Sequence, residues 1–160
     1  LTGAYNRHYY EDVARKVPGP SCVAIMDLDD FKFCNDTYGH HAGDLALEAA
    51  ANAIRACVRD NDVLIRFGGD DFHFFLLILH GIRDDYLKIV LERVRGAVQN
   101  AVIPGFPHLH LSMSIGGVAQ DDREPLEAAV RRADKLMYQA KVRKNTVVCA
   151  GTMDQRTLLS

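Results

Sequence analysis

The sequence predicts an α+β domain in which a central antiparallel sheet is flanked by helices. Three observations lead there. The chain has 160 residues, 48% hydrophobic and 25% charged, which suits one globular domain with a real core. Segments of helical and strand periodicity follow one another as helix, strand–helix–strand–strand–helix–strand, helix, strand. Gly68-Gly69 joins two strand-like runs directly, so the middle strands form a hairpin that splits a β-α-β unit in two.

Asn6 to Val17 reads as a short helix ended by Pro18-Gly19-Pro20. Ser21 to Leu28 is almost wholly apolar, the pattern of a buried strand. Asp29 to Thr37 is polar and suits a short helix, which Tyr38 to Gly43 breaks. Asp44 to Val58 is strongly amphipathic, with Leu45, Leu47, Ala49, Ala50, Ala53, Ile54 and Cys57 on its apolar stripe. The hairpin follows, Asp62–Phe67 and Phe72–Leu79. Asp84 to Ala101 is a further amphipathic helix, with Tyr86, Leu87, Ile89, Val90, Val94 and Val98 inward. After a loop at Pro104–Pro107, the alternation of Leu109, Leu111, Met113 and Ile115 predicts a strand over His108–Ala119. Pro125 suits the first position of a helix running to Val142, and Thr146–Ala150 closes as a strand. This βαββαβ order is the ferredoxin-like arrangement, expected here with the helices on one face of the sheet. Residues 1–160 read as one domain, with 151–160 expected to be a weakly ordered tail. The chain opens at Leu1-Thr2-Gly3 without an initiator Met, so a regulatory domain is expected upstream.

Composition narrows the function classes. The formal net charge of −2 argues against nucleic-acid binding through the phosphate backbone. No apolar run reaches membrane-spanning length, so no direct membrane contact is expected of this domain. Cys22, Cys34, Cys57 and Cys149 are irregularly spaced and form neither a zinc pattern nor a disulfide framework. Free thiols fit a reducing, cytoplasmic setting, which is compatible with a membrane tether elsewhere in a full-length protein.

Chemistry concentrates in three places. The hairpin turn carries adjacent carboxylates, Asp70 and Asp71, which repel unless a cation or proton lies between them. The first strand runs directly into Asp27-Leu28-Asp29-Asp30-Phe31-Lys32. A strand end that delivers an acid to the sheet rim can place a metal ligand, and the amides of the next turn can hold phosphates. For Asp29 and Asp30, capping of the short helix is an equal alternative. Asn35 and Asp44 offer a donor–acceptor set suited to a guanine edge, although Asp44 alone suits the N-cap of the long helix. His40 and His41 are adjacent and point apart, which favours packing or hydrogen bonding over metal binding.

Together these segments resemble the GGDEF family of diguanylate cyclases. The family pattern D-x-D-x-F-K-x-x-N-D-x-x-G-H-x-x-G-D runs here from Asp27 through Asp29, Phe31, Lys32, Asn35, Asp36, Gly39, His40 and Gly43 to Asp44. Leu1-Thr2-Gly3-Ala4-Tyr5-Asn6-Arg7 is similar to its opening, Ser114-Ile115-Gly116 to its late strand, and Ala133–Lys141 to its A-D-x-A-L-Y-x-A-K helix. The resemblance spans residue 1 to about residue 149. It implies condensation of two GTP molecules to cyclic di-GMP and pyrophosphate at a homodimer interface. It further implies Mg²⁺ (or Mn²⁺) on Asp27, Asp70 and the Leu28 carbonyl, with Asp71 beside the metal or the attacking hydroxyl. Asn35 and Asp44 would read guanine. The Phe31-Lys32 turn and Lys141 would hold the β- and γ-phosphates. Arg59 and Asp62, an R-x-x-D upstream of the turn, would form a product-binding inhibitory site.

Two positions depart from the family pattern. The fourth signature residue, usually Glu, is Asp71, a carboxylate shorter by one methylene or about 1.5 Å. After Lys141 the family often reads K-x-x-G-R-N. Here Val142-Arg143-Lys144-Asn145 is one residue shorter and lacks the Gly, so Arg143 or Lys144 replaces the family Arg. These departures support an alternative reading, a domain that binds GTP or cyclic di-GMP without turnover and acts as a receptor.

Overall fold

The computed structural model describes residues 21–68 and 73–150. The elements among them are β1 (Cys22–Leu28), α1 (Phe31–Tyr38), α2 (His40–Ala56), β2 (Val63–Gly68), β3 (His73–Leu79), α3 (Asp84–Gln99), β4 (Met113–Ala119), α4 (Leu126–Arg143) and β5 (Thr146–Ala150). The expected helix over Asn6–Val17, the opening motif, the turn carrying Asp70 and Asp71, and the tail 151–160 lie outside the described residues.

The strands are ordered β2-β3-β1-β4-β5. β1 lies at the centre, antiparallel to both β3 and β4, and β2 pairs antiparallel with β3. The α+β class and the split βαββαβ core are as expected, but the sheet is mixed, because β5 joins parallel to β4. The α4 crossover makes that parallel pairing possible.

The expectation of helices on one face is corrected. Ala24, Met26 and Leu28 of β1 pack into a core with α1, α2 and α3, whereas Val23 and Ile25 pack into a second core with α4. The reason lies in β1 itself. A strand apolar at successive positions has two faces to bury, and one helical layer covers only one. On the second face α4 lies close against β4. A Cβ on Gly116 would stand 2.2 Å from both the Ala133 carbonyl oxygen and the Met137 nitrogen. That approach fixes the helix that carries Lys141.

Three boundaries also shift. β4 begins at Met113 rather than His108, because β1 ends at Leu28, the partner of Met113, and leaves earlier residues no strand to pair with. Leu109 and Leu111 are buried all the same. The long helix starts at His40, so Gly39 alone makes the break, with φ of 93°. Asp44 therefore lies inside α2 and is not its cap, and His40 and His41 are exposed in the first turn rather than packed. In α3 the buried stripe is Leu87, Leu91, Val94 and Val98, while Tyr86 and Ile89 face solvent. The four cysteines are free; burial pushes the Cys22 thiol up to about 11 and the Cys149 thiol to about 12, which disfavours their thiolates.

Candidate functional site

The C-terminal end of β1 gathers the chemistry. Strand alternation turns Asp27 toward the α4 face with Ile25. There the Lys141 ammonium lies 2.8 Å from Asp27 Oδ2 and donates to the Leu28 carbonyl at 3.4 Å. A carboxylate and a main-chain carbonyl thus converge on one cation. Burial raises the Asp27 carboxyl above the usual range, and the hydrogen bond from Lys141 opposes that shift. Among the described residues no group of three or more His, Cys, Asp or Glu side chains is arranged to hold a metal. Asp27 and the Leu28 carbonyl form the described part of the expected ligand set, and its remaining member, Asp70, lies outside the described residues.

Beside them, Asp29 is the organising residue that sequence reasoning missed. Its side chain is 1% exposed. It accepts from Ser112 Oγ and Ser114 Oγ, both at 2.6 Å, and from the Asn145 amide at 2.8 Å. One carboxylate therefore ties β1, β4 and the turn after α4 together. A usable signal was present: Ser112 and Ser114 alternate with buried Met113 and Ile115, which puts two hydroxyls on one side of the extended chain. Asp30 does not cap α1 with its side chain; its backbone is left-handed (φ 57°) and its carboxylate holds Lys144 Nζ at 2.8 Å. Lys144 is thereby brought to the start of α1, whereas Arg143 is exposed and has no ion pair among the described residues.

The first turn of α1 is open to an anion. It contains no acidic residue, and no side-chain cap serves its amides at Phe31 and Lys32. One turn further on, the Asn35 side chain lies over Gly43 of α2. A Cβ at Gly43 would stand 1.7 Å from Asn35 Oδ1 and 3.3 Å from Phe31 Cζ. Gly43 is the residue that leaves room for both side chains. Asn35 Oδ1 is buried and has no hydrogen-bond partner, unlike every other buried side-chain polar atom among the described residues. Such an orphan is costly and points to a missing donor. Asp44 follows on the same helix, exposed. The structure thus brings Phe31, Asn35 and Gly43 together where α1 meets α2, and Asp27, the Leu28 carbonyl and Lys141 together at the end of β1; Lys32 and Asp44 are exposed.

Arg59 and Asp62 lie at the other end of the sheet, about 20 Å away along the seven residues of β1. The Asp62 side chain is 1% exposed and pairs with Arg59 Nε at 3.6 Å. It accepts from the backbone amides of Arg59 (2.9 Å) and His80 (3.1 Å), and the Arg59 guanidinium donates to the His80 carbonyl. These two residues shape the α2–β2 turn, with Arg59 half in solvent.

Comparison with known proteins identifies the family of the chain. The family model described as "Diguanylate cyclase, GGDEF domain" matches residues 1–146. Diguanylate cyclase A of Treponema denticola is 35% identical over 121 residues, 74% of this chain and 32% of that protein. Diguanylate cyclase DgcS of Shewanella oneidensis is 33% identical over 148 residues, covering 88% of this chain and 48% of that protein. The chain therefore spans about a third to about a half of these relatives' length. Among solved structures, the diguanylate cyclase SiaD of Pseudomonas aeruginosa, in complex with its activator SiaC, superposes with a TM-score of 0.83 at 34% identity, over 93% of this chain and 60% of that one. The coiled coil and GGDEF domain of DgcB from Caulobacter crescentus, in complex with c-di-GMP, gives 0.81 at 25% identity, over 93% and 83%.

Proposed function

Because the chain belongs to the GGDEF-domain family of diguanylate cyclases, we propose that it condenses two GTP molecules into cyclic di-GMP and pyrophosphate, using Mg²⁺, at a homodimer interface in the cytoplasm. The observation that carries this reading is the meeting of Asp27, the Leu28 carbonyl and Lys141 beside the uncapped first turn of α1. In this reading Asn35 and Asp44 accept from the guanine N–H groups. The amides of Phe31 and Lys32, with Lys141 and Lys144, hold the β- and γ-phosphates. Lys144, which Asp30 holds at the start of α1, takes the place of the family Arg in this reading, and Arg143 does not. Asp27, Asp70 and the Leu28 carbonyl are all oxygen donors and so suit a hard divalent cation. When bound, such an ion polarises the α-phosphate and favours departure of pyrophosphate.

The bond changes are simple. The 3′-hydroxyl oxygen of one GTP attacks the α-phosphorus of the other, the α–β phosphoanhydride bond breaks, and the hydroxyl proton leaves to a base. Asp71 is the residue assigned to that hydroxyl. A second such step closes the ring. Since each domain holds one GTP, two must face each other. Asp71 also supports the second reading, binding without turnover, because a misplacement of about 1 Å in a reacting constellation can cost on the order of a hundredfold.

Arg59 and Asp62 form the product site in this proposal. The ligand takes the Arg59 guanidinium from the His80 carbonyl, while Asp62 keeps the turn in shape. The deciding experiment incubates the domain, fused to a dimeriser, with GTP and Mg²⁺ and follows cyclic di-GMP by chromatography. Product formation, increased by Asp71→Glu, is expected. Clear GTP binding with no product from either protein would refute the enzyme reading and leave the receptor. Arg59→Ala should abolish product binding away from the reaction centre; unchanged affinity there would refute the R-x-x-D assignment.

A further inference from the structure

We propose that His73 is a positioning residue for the base site, tying guanine recognition to the hairpin that carries Asp70 and Asp71. The proposal rests on the assignment of Asn35 and Phe31 to the base and phosphate site. His73 is the first residue of β3 and pairs with Gly68, at the other side of the turn. Strand alternation places it on the same face as Phe75, the face covered by α1, α2 and α3. Two of its contacts bear on the base site. Arg66 lies at 3.1 Å from Nδ1. A guanidinium can only donate, so Nδ1 is the acceptor and the ring proton is on Nε2. The imidazole then meets the Phe31 ring edge to face, with centroids 5.1 Å apart and planes at 76°.

Phe31 links this contact to the base site. The far tip of its ring, Cζ, stands 3.3 Å from the point a Cβ on Gly43 would occupy, and Asn35 Oδ1 crowds the same point. The Phe31 ring therefore spans the gap between the Asn35–Gly43 corner and His73. Its backbone also opens the turn assigned to the phosphates. With Gly43 leaving room beyond its tip, the Phe31 ring takes its orientation from the edge contact with His73. Arg66 sets the imidazole, the imidazole sets Phe31, and Phe31 forms the wall against which Asn35 works.

The test measures binding without turnover, using α,β-methylene analogues of GTP and ATP with the intact domain in an isothermal titration. His73→Ala should weaken the GTP analogue about five-fold, the scale of one aromatic pair, and narrow its preference over the ATP analogue. His73→Phe keeps an edge for Phe31 and should bring both quantities back to within about twofold of the original protein. In a Phe31→Ala background, His73→Ala should add nothing. The Asn35→Ala variant separates the two levels of the argument. If Asn35→Ala weakens the GTP analogue and His73→Ala does not, the positioning role is refuted while the base site stands. If Asn35→Ala has no effect, the base-site reading fails and this inference falls with it. An effect of His73→Ala that Phe does not rescue would also overturn it, and because the Phe variant preserves ring packing, that comparison holds even where the Ala variant folds poorly.

Discussion

Replacing Gly43 with Ala sets two physical effects against each other. In a helix interior Ala is better than Gly by about 1 kcal/mol. Against this, the new methyl would stand 1.7 Å from Asn35 Oδ1 and 2.9 Å from Asn35 Cγ, so the Asn35 side chain must leave its place. Leaving is not wholly unfavourable. Asn35 Oδ1 is buried without a partner, an arrangement that costs roughly 1–3 kcal/mol, and the half-buried residue has solvent to one side. Gly43→Ala should therefore stabilise the ligand-free domain by about 1–2 kcal/mol, a rise in Tm of roughly 2–6 °C. The same change should weaken GTP binding by about tenfold or more, since the amide no longer faces the base; tenfold is about 1.4 kcal/mol. Thermal melts and titration with a non-hydrolysable GTP analogue read the two quantities on one sample. A Tm that drops by several degrees would show that Asn35 cannot swing clear. An unchanged affinity would show that Asn35, as placed here, does not read the base.

Three further outcomes are expected. Lys144 has φ of 60° and ψ of 159°, a region that suits Gly, so Lys144→Gly should stabilise the turn by about 1 kcal/mol in urea denaturation while weakening triphosphate binding. Asp29→Ala should cost on the order of 3–5 kcal/mol in the same assay, because it strands two hydroxyls and an amide around a buried site; a loss below about 1 kcal/mol would contradict its organising role. Glu124 is held below its usual 4.5 by the hydrogen bonds from Arg132, so the folded state binds that proton less readily than the unfolded chain. Its contribution is therefore present above about pH 4.5 and lost as pH falls through the folded value, and Glu124→Gln should flatten that acid limb in denaturation curves.

The fold was legible where one local rule decided the outcome. Gly-Gly between apolar runs marked the hairpin, and β5 came out with the expected bounds, Thr146–Ala150. It was less legible where a partner decided. Leu109 and Leu111 alternate as a strand would, and only the end of β1 at Leu28 withholds the ladder from them. The second helical layer was written in the unbroken apolar run of β1, but such a run says that two faces are covered without saying by which helices. At the site, Lys141 came only from the family resemblance, whereas Asp27 and Asn35 could be picked out as candidates because their residue types match a chemistry. Asp29 could not, since its importance lies in Ser112, Ser114 and Asn145, all more than eighty residues away in sequence. Asp44 looked like a cap because Gly43 looked like a break, whereas Gly43 is helical and makes room for a side chain from the next element.

Among the described residues, three non-glycine residues have positive φ: Asp30, Lys144 and Asn145. All three lie around Asp29 at one end of β1. The buried amide oxygen without a partner, Asn35 Oδ1, lies on the helix that starts there. The opposite end of the sheet shows the contrary pattern. Asp62, equally buried, has its oxygens satisfied by two backbone amides and a guanidinium. Strain of about 1–3 kcal/mol per residue persists only where surrounding structure holds it in place. Here the hold is Asp29, whose hydrogen bond to the Asn145 amide pins the turn and whose neighbour Asp30 pairs with Lys144. Removing the strain and removing the hold should thus have opposite effects on stability and the same effect on nucleotide binding. Lys144→Gly and Gly43→Ala should both yield a more stable, weaker-binding domain, whereas Asp29→Ala should yield a less stable, weaker-binding one. A variant from the first pair that gains stability and keeps full GTP affinity would break the link between strain and ligand at that position.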